Sequence, residues 1–224
     1  MTTDSPADRS LDAGPGQAVY SERILAIYDT GVLRIAQPLA WRCPSSRILA
    51  LYDEHASADH LDIGVGTGYF LDRCRFPEPQ PRITVLDMNS NSLAAAERRL
   101  SRYQIRTQQA NVLEPIPLPA RSFGSVGMNC LLHCLPGTLT DKAAALANVR
   151  ALMRPGAVLF GSTVLVKGIR HNPLGRILVN SWNRRGIWSN RQDDLAGLHA
   201  AFSAHFERYE INLVGRSALF TAWA

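Results

Sequence analysis

The chain has 224 residues, of which 46% are hydrophobic and 19% charged, with a formal net charge of +5. That is enough for one substantial domain and too few for two comfortable ones, and it excludes a disordered chain. No apolar run approaches the ~18 residues of a membrane span.

The opening stretch, MTTDSPADRSLDAGPGQAVY, is polar and rich in Gly and Pro. It lacks a basic segment followed by an apolar core, so residues 1–18 are expected to be a flexible leader rather than a signal peptide. The protein is accordingly expected to be cytoplasmic. The four cysteines, Cys43, Cys74, Cys130 and Cys134, are expected to be free thiols there. Cys130, His133 and Cys134 invite a metal reading, but structural zinc needs four ligands and no CxxC cluster accompanies them. They read as small residues packed after a strand, and no metal is expected.

Residues 19–56 read as N-terminal helices. SERILAIYDTGVLRIAQPLAWRCP places Ile24, Ile27, Val32 and Ile35 near helical spacing and stops at Pro44. SSRILALYDEHA is a second helix, with Ser45 or Ser46 as its N-cap. Strands and helices then alternate. HLDIG is a strand and GYFLDRC opens a helix. RITVLDM is a strand, followed by the helix SLAAAERRLSRY with Leu93, Ala96, Leu100 and Tyr103 on one face. IRTQQAN is a polar strand and SVGMN a further one. DKAAALANVRALM is a helix that ends at RPG, where Pro155 and Gly156 punctuate it. AVLFGSTVL is a strongly apolar strand. A longer connection, 166–190, precedes the helix DDLAGLHAAFSAHF and a closing hairpin, YEINLVG and ALFTAW.

Such alternation predicts an α/β fold: a parallel sheet with helices on both faces. Buried parallel strands are apolar runs. The polar third strand therefore belongs at one edge, the alternating YEINLVG at the other, and ALFTAW inside. The order 3-2-1-4-5-7-6, with strand 7 antiparallel, satisfies all three.

The most informative stretch is DIGVGTG, residues 62–68. Its spacing, G-x-G-x-G, differs from the dinucleotide fingerprint G-x-G-x-x-G, which disfavours a nicotinamide dehydrogenase. It also lacks the Gly-Lys-Ser/Thr ending of a phosphate loop. A backbone this bare permits positive φ and lets a ligand approach closely.

DIGVGTG resembles the first motif of the class I S-adenosylmethionine-dependent methyltransferases. The alternation from it to the C-terminus is similar to their seven-stranded Rossmann-like fold, over roughly residues 45–224. The whole chain also resembles a small methyltransferase subfamily carrying WRCP and HLDIGVGTGYFLD. The resemblance implies a single methyltransferase domain over 19–224 and adenosylmethionine as cofactor, but names no substrate; a small-molecule acceptor, anionic or aromatic/lipophilic, is expected from the arginines and tryptophans of the 166–190 connection. It implies that Gly64, Gly66 and Gly68 expose backbone to the donor's amino-acid end, while Asp62 complements its ammonium or fixes the loop. Asp87 would take the ribose hydroxyls; its bland alternative is a helix N-cap. Met88 would pack on the adenine, Asn111 would accept from the adenine amino group where the family often has an acid, and the Val112 N–H would reach the ring. Asn129 is placed with the donor residues and also near the acceptor, together with Tyr28, His133, Thr163 and the 166–190 connection. Tyr28 is a candidate lid through a cation–π contact with the sulfonium, or a helix-packing tyrosine. His133 is a candidate general base, or a hydrogen-bonded structural histidine. Two departures, Gly124 after Phe123 and Ala157 in the post-helix turn, bear on packing only.

From Lys142 to Gln192 there is no Asp or Glu. Within this stretch Leu174, Ile177, Leu178 and Trp182 fall at helical spacing among Arg176, Arg184 and Arg185. Three readings stand: a cap over the acceptor with Trp182 or Trp188 as apolar wall and an arginine pairing an anion, a basic helix resting on an anionic membrane, or a solvated helix. Nucleic-acid binding is not expected, for no recognition module is present. The rival functions are a catalytically silent adenosylmethionine-binding partner or regulator, and aminopropyl transfer, whose acidic polyamine pocket is not evident.

Overall fold

The computed structural model describes residue 31 and residues 36–224. The leader, Tyr28 and the helical positions Ile24, Ile27, Val32 and Ile35 lie outside the described residues.

A single helical turn, Gln37–Leu39, leads to helix α1, Ser45–His55. Pro44, not a serine, holds the N-cap position of α1, with φ −59° and ψ 142°. The proline ring already sets the extended geometry that a residue before a helix adopts, so Ser45 moves inside. The sheet strands are β1 (Asp59–Ile63), β2 (Arg82–Asp87), β3 (Ile105–Gln109), β4 (Phe123–Asn129), β5 (Met153–Val164), β6 (Arg208–Val214) and β7 (Ser217–Trp223). Between them run α2 (Tyr69–Arg73), α3 (Ser90–Arg99), α4 (Leu139–Leu152), α5 (Pro173–Arg184) and α6 (Leu195–Ser203).

The sheet order is β3-β2-β1-β4-β5-β7-β6, as the strand polarity predicts. The first five strands are parallel and β7 is antiparallel to both of its neighbours. Polar β3 and alternating β6 take the edges, while β7 is buried almost throughout. Helices cover both faces. Leu146 and Val149 of α4 and Leu198 and Phe202 of α6 pack with Val126 and Leu159 on one side. Ile48 and Tyr52 of α1 and Leu93 and Ala96 of α3 pack with Val85 and Phe160 on the other. Neighbours Leu159 and Phe160 thus serve opposite layers, as the two-residue strand period requires.

Two boundaries differ from expectation. Helix α3 ends at Arg99, so Tyr103 lies beyond it and packs edge-on against Phe76. Helix α4 ends at Leu152, and the RPG signal falls inside β5. There Phe123 pairs with Met153 and Ser125 with Val158, so residues 154–157 bulge out of the ladder. The Pro–Gly pair breaks the strand register rather than separating helix from strand.

Candidate active site

The carboxyl ends of the parallel strands are where ligands bind in open α/β sheets. Here β1 runs straight into the glycine turn. Gly64, Gly66 and Gly68 all have positive φ, at +71°, +54° and +73°. A Cβ on Gly66 would meet nothing within 4 Å, so this glycine faces open space. A Cβ on Gly68 would lie 3.4 Å from Ala96 Cα, which shows that the third glycine lets α3 pack close. The turn forms one wall of a solvent-open cleft of ≈ 440 Å³, also lined by Tyr52, Asp62, Tyr69, Phe70, Asn129 and Cys130.

Asp62 is 3% exposed and pinned by neighbours from two elements. Tyr52 of α1 donates its hydroxyl to Oδ2 at 2.6 Å, and His60 Nε2 stands 3.5 Å from the same oxygen. Burial first, and then the Asp62 charge, push the Tyr52 pKa well above the usual phenol range, so Tyr52 stays a donor. Nothing in the helical pattern of α1 singles Tyr52 out from its buried face. The one signal is that an aspartate on a buried strand demands a hydrogen-bond donor.

Asp87 ends β2. Its Oδ1 accepts from Asn89 N at 2.9 Å, and its Oδ2 from Gly66 N at 3.4 Å. The carboxylate therefore ties the glycine turn to β2. It is not the N-cap of α3: that position belongs to Asn89, whose side chain accepts from Asn91 N. Burial raises the Asp87 pKa to about 6, against the opposing N–H bonds from Asn89 and Gly66.

Asn129 closes β4 with an unusual deficit. It is 8% exposed, and although it approaches the Tyr52 hydroxyl, neither its Oδ1 nor its Nδ2 makes a well-formed hydrogen bond among the described residues. The next residue, Cys130, has φ +53°, a conformation that non-glycine residues rarely adopt. Its sulfur accepts from Gln37 Nε2 at 3.3 Å.

The structure thus gathers Asp62, Gly64, Gly66, Gly68 and Asn129 into one cleft, with Asp87 joined to its rim. Met88, Asn111 and Val112 do not line that cleft; they follow the ends of β2 and β3. The Met88 carbonyl accepts from Gln109 Nε2 at 2.9 Å. Asn111 Oδ1 already accepts from Leu113 N at 3.0 Å, leaving one lone pair for a further donor. Val112 is buried, and its carbonyl takes the Asn148 amide of α4 at 2.9 Å.

His133 is not among the residues that line the cleft. Its Nδ1 accepts from Val164 N at 3.1 Å and lies 3.3 Å from Thr163 Oγ1, which places the proton of the neutral ring on Nε2. Burial, followed by the Lys142 charge, lowers its pKa to about 3. Trp188 packs on the ring at 4.3 Å, and Trp182 and Trp188 both pack on Trp41, at 6.0 and 5.3 Å. These rings hold the 166–190 segment on the WRCP turn, and none of them lines the glycine cleft.

Part of the acid-free stretch is neutralised by acids outside it, two of them just beyond its end. Lys142 and Asp193, each 1% exposed, pair at 2.6 Å, and Lys142 also donates to Ser189 O at 2.6 Å. Lys167 pairs with Asp194 at 2.8 Å and Arg154 with Asp59 at 2.9 Å. Among the described residues no helix is long and apolar enough to cross a membrane.

A family model described as a methyltransferase domain matches residues 61–159, from the middle of β1 into β5. Over 222 residues the chain is 42% identical to demethylluteothin O-methyltransferase of Streptomyces thioluteus, covering 99% of this chain and 96% of that protein. The chain belongs to the class I S-adenosylmethionine-dependent methyltransferases. This methyltransferase is also 37% identical to the physcion biosynthesis cluster O-methyltransferase of Aspergillus chevalieri, over 92% of this chain and 94% of that one. Among solved structures, DhpI in complex with SAH superposes with a TM-score of 0.64 at 20% identity, covering 95% and 96% of the two chains. At that identity the likeness speaks for the methyltransferase fold alone.

Proposed function

We propose that this methyltransferase transfers the methyl group of S-adenosylmethionine to a hydroxyl oxygen of a small natural-product acceptor. The observation that carries the donor reading is the Asn129 carboxamide, buried in the cleft wall with neither polar atom in a well-formed hydrogen bond. Buried polar groups are satisfied in functional states, and a zwitterionic amino-acid end offers Asn129 both a donor and an acceptor. The open space before Gly66 admits such a ligand against bare backbone. The names of the two relatives, both O-methyltransferases of small-molecule pathways, support oxygen as the receiving atom.

When bound, adenosylmethionine supplies an electrophilic methyl on a sulfonium. The chain's own residues hold and orient. Asp62 balances the ammonium, Asp87 accepts from the ribose hydroxyls, and Asn111 has a lone pair for the adenine amino group. Positioning of this kind is the larger part of catalysis for an in-line displacement. His133, with Nδ1 engaged and its pKa held down to about 3, is assigned to structure rather than to proton removal.

The test is direct. Purified protein is incubated with methyl-labelled adenosylmethionine and either demethylluteothin or fractionated small metabolites. Label recovered as an O-methyl ether supports the proposal. Label found only on nitrogen, sulfur or carbon overturns the oxygen assignment, and binding of adenosylmethionine without any transfer favours a silent binding protein.

A further inference from the structure

We infer that Tyr52 and His60 are positioning residues that aim the Asp62 carboxylate at the donor's ammonium, an inference that rests on the donor reading above. The two oxygens of Asp62 have unequal surroundings. Oδ2 receives the Tyr52 hydroxyl and faces His60 Nε2. Oδ1 has no hydrogen-bond partner among the described residues, and the residue lines the cleft. A carboxylate held through one oxygen presents the other to a cation in a set direction.

The holding groups are themselves held. His60 is fully buried, and its Nδ1 lies 2.8 Å from Ser125 Oγ, which accepts from Ser57 N at 2.8 Å. The Tyr52 ring stacks on Phe70 at 5.5 Å and meets Phe160 edge-on at 5.0 Å. Gly127 supplies an independent sign. A Cβ there would lie 2.6 Å from Asp62 Oδ2 and 3.3 Å from both His60 Nε2 and the Tyr52 hydroxyl. Strand β4 thus omits a side chain at the point where three groups from α1 and β1 converge. Tertiary packing brings the donors to Asp62, and their service is to fix its orientation before a ligand arrives, which lowers the cost of binding.

The experiment compares two ligands by calorimetric titration: S-adenosylhomocysteine, and its desamino analogue with hydrogen in place of the ammonium. Wild type should bind the first at least about tenfold tighter, the scale of a charge-assisted hydrogen bond. Asp62→Asn should abolish that preference. Tyr52→Phe, which keeps the ring packing, should cut it several-fold, about fivefold or more, while binding the desamino analogue as wild type does. His60→Gln is the second variant, and the double variant Tyr52→Phe/Asp62→Asn should add nothing to Asp62→Asn. Tyr52→Phe retaining the full preference, or losing affinity equally for both ligands, overturns the positioning role. Equal binding of both ligands by wild type overturns it too and leaves the donor reading intact. Binding of neither ligand removes the donor reading itself.

Discussion

At the scale of single residues, burial moves the pKa of Asp87, proposed to hold the donor, up, and that of His133, proposed as structural, down. Asp87 has a pKa raised to about 6 by burial, so it is charged at neutral pH and loses that charge as the pH falls through about 6. Donor affinity should drop over that interval, because a neutral carboxyl accepts ribose hydroxyls less well. Asp87→Ala should weaken adenosylmethionine and adenosylhomocysteine alike, and titrations at pH 5, 6 and 8 check both statements. His133 works the other way. Its folded pKa, about 3, lies below its ordinary value of 6.5. The stability it contributes is therefore present above pH 6.5 and drains as the pH falls towards 3, by up to about 1.4 kcal/mol per pH unit. His133→Ala should flatten that acid limb in urea melts and leave the pH dependence of turnover between pH 6 and 9 unchanged. Loss of most turnover together with the rise on the acidic side of the profile would instead make His133 the base.

At the scale of elements, the buried Lys142–Asp193 pair joins the first turn of α4 to the segment that leads into α6. Lys142 is held by the Ser189 carbonyl as well, and Asn190 reaches the Val164 carbonyl at 2.9 Å, so the return from α5 is bolted to the end of β5. Removing one partner leaves a buried charge alone. Lys142→Met should cost about 3–5 kcal/mol, read as a shift in the urea midpoint, and Lys142→Met/Asp193→Leu should recover much of it. A Lys142→Met variant as stable as wild type would show that the pair contributes nothing. The same bolting explains the course of the 166–190 segment. Its helix α5 turns Val179 inward and carries Trp182 onto Trp41, where Trp188 from the following loop joins it, while Ile177 stays 65% exposed.

At the scale of the molecule, a ligand that binds only the folded chain stabilises all of it. Adenosylhomocysteine at a hundred times its Kd should add about 2.7 kcal/mol and raise the melting temperature by about 5–10 °C; NAD should not, and a rise with NAD alone would contradict the spacing argument. The sequence by itself determined the sheet order, because strand polarity is a local record of burial: Arg106, Gln108 and Gln109 suit only an edge, and Leu219 and Phe220 suit only the inside. It also determined the glycine turn and the carboxylate that closes β2, since positive φ and the end of an apolar strand leave their mark on residue type. The tertiary structure alone decided what surrounds Asp62, because Tyr52, His60 and the space left by Gly127 meet only when α1, β1 and β4 pack together. It alone decided that His133 Nδ1 is taken up by the Val164 N–H, and that Lys142, which opens an acid-free run, finds its counter-ion 51 residues later. Charge balance and hydrogen bonding are satisfied through space, and a one-dimensional pattern carries no distance between partners that the fold has yet to bring together.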